Sequence, residues 1–272
     1  MFQGLDNSVL YSATKLTSRF FRQADGQKRQ KDGTGFFVKN KAGVLSLVTN
    51  RHMLDFGYEP GHPAERAGFT LEEVDISVFV LEMASDVSDM PTIRATATID
   101  ARANPAVFAS DYANDVAAIV NPQFEFDRQD GVRFDYFINH HVVANETWIN
   151  EKLTVCDFVG FTGFPEWFDH AEKRPIFRTG TVASDPRSNY SYSGKSEGDR
   201  VAYEAFSFEG SSGSPVFAFR KSGSSAEGFR EAKLIGVNAR HLNGAFGHSG
   251  VSVFYKSHVI LQIIDDVAGT AG

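Results

Sequence analysis

Residues 33–54 read GTGFFVKNKAGVLSLVTNRHML and form a strand, turn, strand pattern that ends at a histidine. The two apolar runs are rich in Phe, Val and Leu, and the segment from Asn40 to Gly43 between them consists of residues that favour turns. His52 follows the second run directly, so it is predicted to lie where a strand ends. Similar apolar runs, separated by Gly, Ser and Asn, recur along the chain and predict an all-β fold.

One stretch near the C-terminus has a helical pattern instead. In residues 255–269, YKSHVILQIIDDVAG, apolar side chains recur at helical spacing, and Ser257 is suited to cap the first turn. The sequence therefore predicts a C-terminal α-helix with one face packed on the second half of the chain. The long stretch of residues 52–74 is predicted to be either a surface insertion or a lid over a cleft.

Composition and charge narrow the range of functions. The chain has 272 residues with a formal net charge of -7 and an isoelectric point near 5.6, which argues against a nucleic-acid-binding face. It has a single cysteine, Cys156, and no apolar stretch approaches the length of a membrane span. We therefore expect a cytoplasmic protein whose partners are neither nucleic acid nor membrane.

The adjacent histidines His140 and His141 raise the question of a metal site. Neighbouring residues on a strand point to opposite faces, and no second pair of ligand residues is spaced to complete a site with them. We therefore expect no metal and no other cofactor.

A second informative stretch is FEGSSGSPVF, residues 208–217. Gly, Ser and Pro are common turn residues, so the stretch can be a polar turn between two apolar runs. It can also be a loop that presents a nucleophilic serine, because glycine permits a positive φ and lets successive N–H groups point at one position. Only Ser212 lies between Gly-x and Gly, which favours it over Ser211 and Ser214. The N–H groups of Gly210 and Ser212 would then form an oxyanion hole.

A serine hydroxyl is a weak nucleophile unless a base accepts its proton and an acidic group orients that base. His52 and Asp115 fit these roles, since Asp115 stands at the start of the apolar run from Val116 to Val120. Asp111 is a weaker candidate because no apolar strand follows it. Taken singly, each of these residues is more simply interpreted as a surface residue or as a residue that caps a strand. Their order along the chain, His, Asp, Ser, is that of the chymotrypsin-like fold.

Together these segments resemble the trypsin-like serine peptidases of the chymotrypsin fold, and among them bacterial members such as the glutamyl endopeptidases and the heat-shock proteases. The matching segments are GTGF at 33–36, LVTNRH at 47–52, NDVAAI at 114–119, GSSGSPVF at 210–217 and LIGVN at 234–238. The resemblance spans about residues 33–265. It implies two six-stranded antiparallel β-barrels packed at right angles, one in residues 1–125 and one in residues 126–272, with the active site between them and a C-terminal helix.

The resemblance also implies a role for each residue of the site. His52 would be the general base, Asp115 its orienting partner and Ser212 the nucleophile. The N–H groups of Gly210 and Ser212 would form the oxyanion hole. The chain would then be a serine endopeptidase acting on a protein or peptide substrate. The alternative is a catalytically latent or inactive module of the same fold, which binds extended peptides or partner proteins, or which a regulatory partner activates.

The substrate-binding residues are predicted to be Phe206, Asn238, Ala239 and Arg240. By the resemblance, Phe206 lies at the base of the specificity pocket, where it would restrict the substrate side chain to small or medium apolar groups. Asn238 stands where glutamyl endopeptidases present a histidine to a substrate carboxylate, so a glutamate preference is not implied. Arg240 or His241 would give a cationic lining instead, and the strand NARH at 238–241 would pair with an extended substrate.

Overall fold

The fold is that of a computed structural model, which describes residues 5–58, 66–128, 130–222, 229–244 and 247–269. Its strands are β1 (Ala13–Arg22), β2 (Gln27–Lys39), β3 (Leu45–Thr49), β4 (Phe69–Glu82), β5 (Ile93–Asp100), β6 (Ala106–Phe108), β7 (Ala117–Val120), β8 (Val132–Arg133), β9 (Ile138–Asn139), β10 (Phe158–Gly163), β11 (Ile176–Val182), β12 (Arg200–Glu204), β13 (Pro215–Ala218), β14 (Lys221–Ser222), β15 (Phe229–Arg230), β16 (Lys233–Gly244) and β17 (Gly247–Lys256). Its helices are α1 (Arg51–Leu54), α2 (Glu146–Lys152) and α3 (His258–Gly269), with 3-10 turns at Asn7–Ser12 and His140–Val142. Strands dominate, as predicted. Residues 59–65 of the predicted insertion or lid lie outside the described residues.

The first half of the chain forms one nine-stranded sheet. Its strand order is β5-β4-β1-β2-β3-β7-β6, and β8 and β9 pair with β4 and β2. Ile99, near one edge of the sheet, and Phe108, at the other edge, pack on the same core cluster around Leu47 and Val74. The sheet is therefore curled around a single core. The two edge strands do not pair with each other, and β6 is only three residues long.

The second half forms a closed six-stranded antiparallel barrel with the order β10-β11-β12-β17-β16-β13. Side chains from opposite walls fill it, among them Phe161, Tyr203, Ile235 and Phe254. Closure removes the open sheet edges that would otherwise expose unpaired backbone groups. The predicted barrel of the second half is thus present, and the all-β fold with a C-terminal helix is confirmed.

The first sheet extends beyond residue 125, which was the predicted boundary between the two halves. Val132 pairs with Glu82, and Ile138 pairs with Val38, so the strands β8 and β9 belong to the first sheet. Each of these strands has two residues, which is too short for a recognisable alternation of apolar and polar side chains. The positions of β8 and β9 are set by their pairing with β4 and β2 and are not visible in the local sequence.

The predicted C-terminal helix is present as α3. Its apolar face is buried, through Val259, Ile260, Ile263 and Ile264. These side chains share one core cluster with Ala118 of the first sheet and Val237 of the barrel. The helix therefore packs on both halves of the chain, whereas the sequence predicted contact with the second half. It thereby helps to fix the two halves relative to each other.

A buried carboxylate next to β10 stabilises the barrel. Arg230 Nη1 lies 2.5 Å from one oxygen of Asp157 and Lys221 Nζ lies 2.8 Å from the other. The backbone N–H of Thr154 also donates to this carboxylate, at 2.9 Å. Burial raises the pKa of Asp157, but these hydrogen bonds outweigh the burial, and the pKa is below its ordinary value.

We expect Asp157→Ala to lower the free energy of unfolding by about 3 kcal/mol, because it leaves the largely buried Arg230 without its anion. Denaturant unfolding near pH 7 measures this. The control is Asp185→Ala, which breaks an exposed pair with Arg187 and is expected to cost much less. Because the folded pKa of Asp157 is depressed, its contribution is complete above the unfolded pKa of about 3.9 and is lost as the pH falls through the folded pKa. Equal losses in the two variants would contradict this account.

Candidate active site

Strand pairing brings His52 and Asp115 together. Strands β3 and β7 are antiparallel, with Thr49 opposite Ala117. His52 follows Thr49 by three residues on the short helix α1, and Asp115 precedes Ala117 by two residues. Both residues therefore lie at the same end of the sheet. The placement that the sequence predicted for His52, directly after a strand, is the placement in the structure.

Two hydrogen bonds join His52 to Asp115. The carboxylate oxygen Oδ2 lies 2.7 Å from Nδ1 of the imidazole, and Oδ1 accepts from the backbone N–H of His52 at 2.8 Å. Asp115 is fully buried, and its carbonyl accepts from Nδ2 of Asn50 at 2.8 Å. Burial alone would raise the pKa of Asp115, but its attraction to His52 and these hydrogen bonds hold the pKa below the ordinary value. The group is therefore a carboxylate aimed at the ring.

The loop that carries Ser212 is held by both halves of the chain. The backbone N–H of Thr34 in β2 donates to the carbonyl of Ser212 at 2.9 Å, and its hydroxyl donates to the carbonyl of Gly210 at 2.8 Å. From the other side, the N–H of Gly213 donates to the carbonyl of Asn238 in β16 at 2.8 Å. The stretch thus contains turns, and hydrogen bonds from both halves of the chain hold it in place.

Gly210 is required by its backbone conformation and its surroundings. Its φ is +86°, and a Cβ at this position would lie 2.3 Å from the carbonyl oxygen of Phe164. The preceding carbonyl, that of Glu209, accepts from the N–H of Glu166 at 3.1 Å. In a trans peptide the C=O and N–H groups point in opposite directions. The N–H of Gly210 is therefore directed away from Glu166, and no hydrogen bond within the described part of the chain uses it.

The N–H of Ser212 is oriented in the same way, because the carbonyl of the preceding residue accepts a hydrogen bond. The carbonyl of Ser211 accepts from Nδ2 of Asn238 at 2.7 Å, so the N–H of Ser212 points to the opposite side of that peptide. Gly213 follows with φ of +86°, and a Cβ there would lie 1.9 Å from the carbonyl oxygen of Thr34. The N–H of Ser212 likewise has no partner among the described residues. The geometry thus leaves both N–H groups of the predicted oxyanion hole free.

The hydroxyl of Ser212 is hydrogen-bonded to a backbone carbonyl rather than to the imidazole in the described part of the structure. Its Oγ donates to the carbonyl of Ala239 at 3.0 Å, and no hydrogen bond to His52 occurs in the described ranges. Ser212 and His52 nevertheless line the same open cavity, of about 700 Å³. Its other charged lining residues are of mixed sign: Lys15, Lys31, Asp32, Arg66, Glu166 and Glu209.

The four predicted substrate-binding residues occupy different environments. Asn238 is buried, and Oδ1 of its side chain accepts from the hydroxyl of Tyr203 at 2.6 Å. Together with its bond to the Ser211 carbonyl, this makes the Asn238 side chain a support of the nucleophile loop rather than a surface for substrate. The carbonyl of Ala239 accepts a hydrogen bond from the hydroxyl of Ser212, whereas Arg240 is exposed to solvent.

Phe206 is half exposed and belongs to an aromatic cluster. Its ring lies 4.8 Å from that of His248, which stacks on His241 at 4.4 Å. Its ring also stacks on Phe208 at 6.3 Å. Burial lowers the pKa of His248. The region predicted to form the specificity pocket is therefore lined by rings, two of which are imidazoles.

Arg178 is a residue that sequence reasoning missed. Its guanidinium lies over the Phe208 ring, 4.6 Å from the centroid, and its Nη1 is buried without a hydrogen-bond partner among the described residues. Burial lowers the pKa of Arg178. Phe208 contacts Phe206 and His248 as well, so the guanidinium adjoins the aromatic cluster. No signal in the sequence marks Arg178, because it reaches this place through the pairing of β11 with β10.

In the described ranges, no group of three or more His, Cys, Asp or Glu side chains is arranged to hold a metal ion. His140 instead lies 3.1 Å from the carboxylate of Asp265 through its Nε2. Among the helices that the structure describes, none is long and apolar enough to cross a membrane.

Comparison with solved structures identifies the fold. The chain is similar to the HtrA-type protease AlgW with tripeptide, at 12% identity and a TM-score of 0.53, over 98% of this chain and 65% of that chain. It is also similar to the thermostable serine protease AL20 from an extremophilic microorganism, at 13% identity and a TM-score of 0.51, over 97% of this chain and 99% of that one. No protein-family model and no curated protein sequence matches the chain. At these identities the likeness concerns the fold, and the fold is the chymotrypsin-like one of the trypsin-like serine proteases.

Proposed function

We propose that the protein is a serine endopeptidase with His52, Asp115 and Ser212 as its catalytic residues. The observation that carries the proposal is the convergence of three parts at one cavity. A buried carboxylate is bonded to an imidazole, a serine lies between two glycines of positive φ, and two backbone N–H groups beside that serine are free. Acyl transfer needs this set of a base, a nucleophile and an oxyanion hole.

In the proposed reaction, Oγ of Ser212 attacks the carbonyl carbon of the scissile peptide bond while Nε2 of His52 accepts its proton. Asp115 holds Nδ1 and stabilises the imidazolium that forms. The N–H groups of Gly210 and Ser212 donate to the developing oxyanion. The imidazolium then protonates the leaving amine, and water attacks the acyl-enzyme with His52 again as the base. Before this sequence begins, Oγ must turn from the Ala239 carbonyl toward the ring.

The experiment that tests the proposal is intact-mass analysis after treatment with a fluorophosphonate. We expect one adduct on the parent and none on Ser212→Ala, because the reagent modifies a serine only where a base and an oxyanion hole activate it. An adduct on both proteins would place the nucleophile elsewhere. A folded parent without any adduct would overturn the proposal of a constitutively active enzyme.

The second candidate is a latent or inactive module of the same fold, and the orientation of the Ser212 hydroxyl favours it. With Oγ on the Ala239 carbonyl, the nucleophile and the base are not aligned. A regulatory partner or a bound peptide would then have to align them. Two of the similar structures are of AlgW with a tripeptide and with a decapeptide. They support an extended peptide as the ligand of this protein, whether it is an active enzyme or a latent module. The single cysteine supports the cytoplasm as the proposed location.

We propose that the protein prefers substrates with an acidic residue immediately before the scissile peptide bond. The aromatic cluster around Phe206 adjoins the buried, unpartnered Nη1 of Arg178 and the imidazole of His248. A buried N–H donor without an acceptor is costly, and a substrate carboxylate would provide the missing partner. The sequence favoured small or medium apolar side chains in the pocket at Phe206, and the acidic preference is proposed instead.

A specificity assay tests this preference. We expect peptides with Glu at this position to be cleaved with a higher kcat/KM than matched Gln or Leu peptides. Arg178→Leu should lower kcat/KM for the Glu peptide by about 10- to 100-fold, as expected for the loss of a charged hydrogen bond. Arg187→Leu, at an exposed position paired with Asp185, is the control and should change it little. A parent that prefers Leu to Glu would contradict the proposal.

A further inference from the structure

A pair of reciprocal hydrogen bonds crosses from the first half to the second, one residue away from Asp115. Nδ2 of Asn114 donates to Oδ2 of Asp199 at 3.1 Å, and the backbone N–H of Asp199 donates to Oδ1 of Asn114 at 2.7 Å. Asn114 is buried. Asp199 ends the connection between β11 and β12 of the barrel. Both polar atoms of the Asn114 side chain are thus held by this one residue.

Asp199 is itself fixed to the second half at several points. Its Oδ1 accepts from Nδ2 of Asn189 at 2.8 Å, and its carbonyl accepts from the backbone N–H of Lys256 at 2.9 Å. Its Oδ2 lies 3.5 Å from Nε2 of His258, the first residue of α3. Through Asp199, the side chain of Asn114 is therefore linked to the end of β17 and to the start of α3.

The approach of the two segments is close enough to restrict the neighbouring residue. Gly198 has a φ of +83°, and a Cβ there would lie 2.5 Å from Oδ1 of Asn114 and 2.6 Å from the carbonyl oxygen of Ala113. Burial raises the pKa of Asp199, but the hydrogen bonds from Asn114 and Asn189 outweigh it, and the pKa is below its ordinary value. Asp199 is thus a carboxylate at neutral pH.

We infer that Asp199 is a positioning residue of the catalytic site, acting on Asp115 through Asn114; the inference rests on the proposed function. Side chains fix the backbone around Asp115. Asn50, of the first half, donates to the Asp115 carbonyl at 2.8 Å. The side chain of Asn114, the preceding residue, is held by the second half through Asp199. The direction of the carboxylate toward His52 depends on this backbone, so it depends on the contact between the two halves.

The kinetic test compares Asp199→Ala with the parent on one peptide substrate. A displacement of about 1 Å at a catalytic group can cost on the order of 10²-fold in rate, so we expect kcat to fall by about 10- to 100-fold. KM should stay close to the parent value, because Asp199 does not line the cavity of His52 and Ser212. Asp199→Asn, which keeps one carbonyl oxygen as an acceptor, should lose less. A change confined to KM would overturn the inference.

A double-mutant cycle separates this role from a general loss of stability. Asn114→Ala should lower kcat to a similar extent as Asp199→Ala, and the double variant should be little worse than either, because both remove the same link. The control is Asp185→Ala, which removes an exposed carboxylate of the same connection that is paired with Arg187. It should leave kcat unchanged. Additive losses in the cycle, or an equal loss in the control, would overturn the inference.

A spectroscopic readout does not depend on turnover. The proton shared by Nδ1 of His52 and the Asp115 carboxylate should give a strongly deshielded proton NMR resonance, assigned by its loss in His52→Ala. We expect this resonance to shift or broaden in Asp199→Ala and to be unchanged in Asp185→Ala. An unchanged resonance in Asp199→Ala would overturn the inference, even if the parent proves inactive toward fluorophosphonate and the proposed function fails.

Discussion

Ser212→Ala is expected to lower the turnover of peptide substrates by about 10⁴-fold or more. The reason is that the acyl-enzyme cannot form without Oγ. The residual rate would come from the free N–H groups of Gly210 and residue 212, which a methyl side chain leaves in place. The fold should be retained, because among the described residues the Oγ of Ser212 makes a single hydrogen bond, to the Ala239 carbonyl.

The measurement is steady-state cleavage of a peptide library, with binding of an uncleaved peptide measured in parallel. Ser211→Ala is a matched control, because the buried Oγ of Ser211 has no hydrogen-bond partner among the described residues. This control should retain most of the parent rate. Loss of activity in Ser211→Ala together with an active Ser212→Ala would move the nucleophile to Ser211. Equal rates in the parent and in Ser212→Ala would exclude Ser212 as the nucleophile.

Asp115→Asn is expected to lower kcat by about 10⁴-fold without a change in the fold. In the parent, one carboxylate oxygen accepts from the backbone N–H of His52 and the other faces Nδ1. An asparagine has a single acceptor oxygen. If that oxygen keeps the backbone bond, its NH₂ group faces Nδ1 and favours the tautomer with the proton on Nε2. That tautomer cannot accept the proton of Ser212.

Single-turnover kinetics and the fluorophosphonate rate constant test this prediction. The matched control is Asp111→Asn, because Asp111 was the competing candidate and its carboxylate accepts from the backbone N–H of Ala113 in an exposed turn. Its activity should remain near that of the parent. A larger loss in Asp111→Asn than in Asp115→Asn would reverse the assignment of the acid.

The pattern of residues along the chain predicted much of the fold and the types of groups in the site. Apolar runs broken by turn residues predicted the strands, and helical spacing after Ser257 predicted α3. These signals are local, because side-chain period and turn chemistry act within a few residues. The same applies to the Gly-x-Ser-Gly segment, since the need for a positive φ at Gly210 and Gly213 is a local property.

The sequence by itself thus determined an all-β chain that carries a histidine, an aspartate and a glycine-flanked serine in that order. Only the tertiary structure decided what holds and surrounds them. The clamp from Thr34 to Ser212, the buried side chain of Asn238 and the bonds from Asp199 to Asn114 all join residues far apart in the chain. Hydrogen-bond direction depends on the position of the partner, and the partner is set by strand pairing and by the contact between the two halves. No local pattern encodes such a contact, so the orientation of each catalytic group comes from the fold.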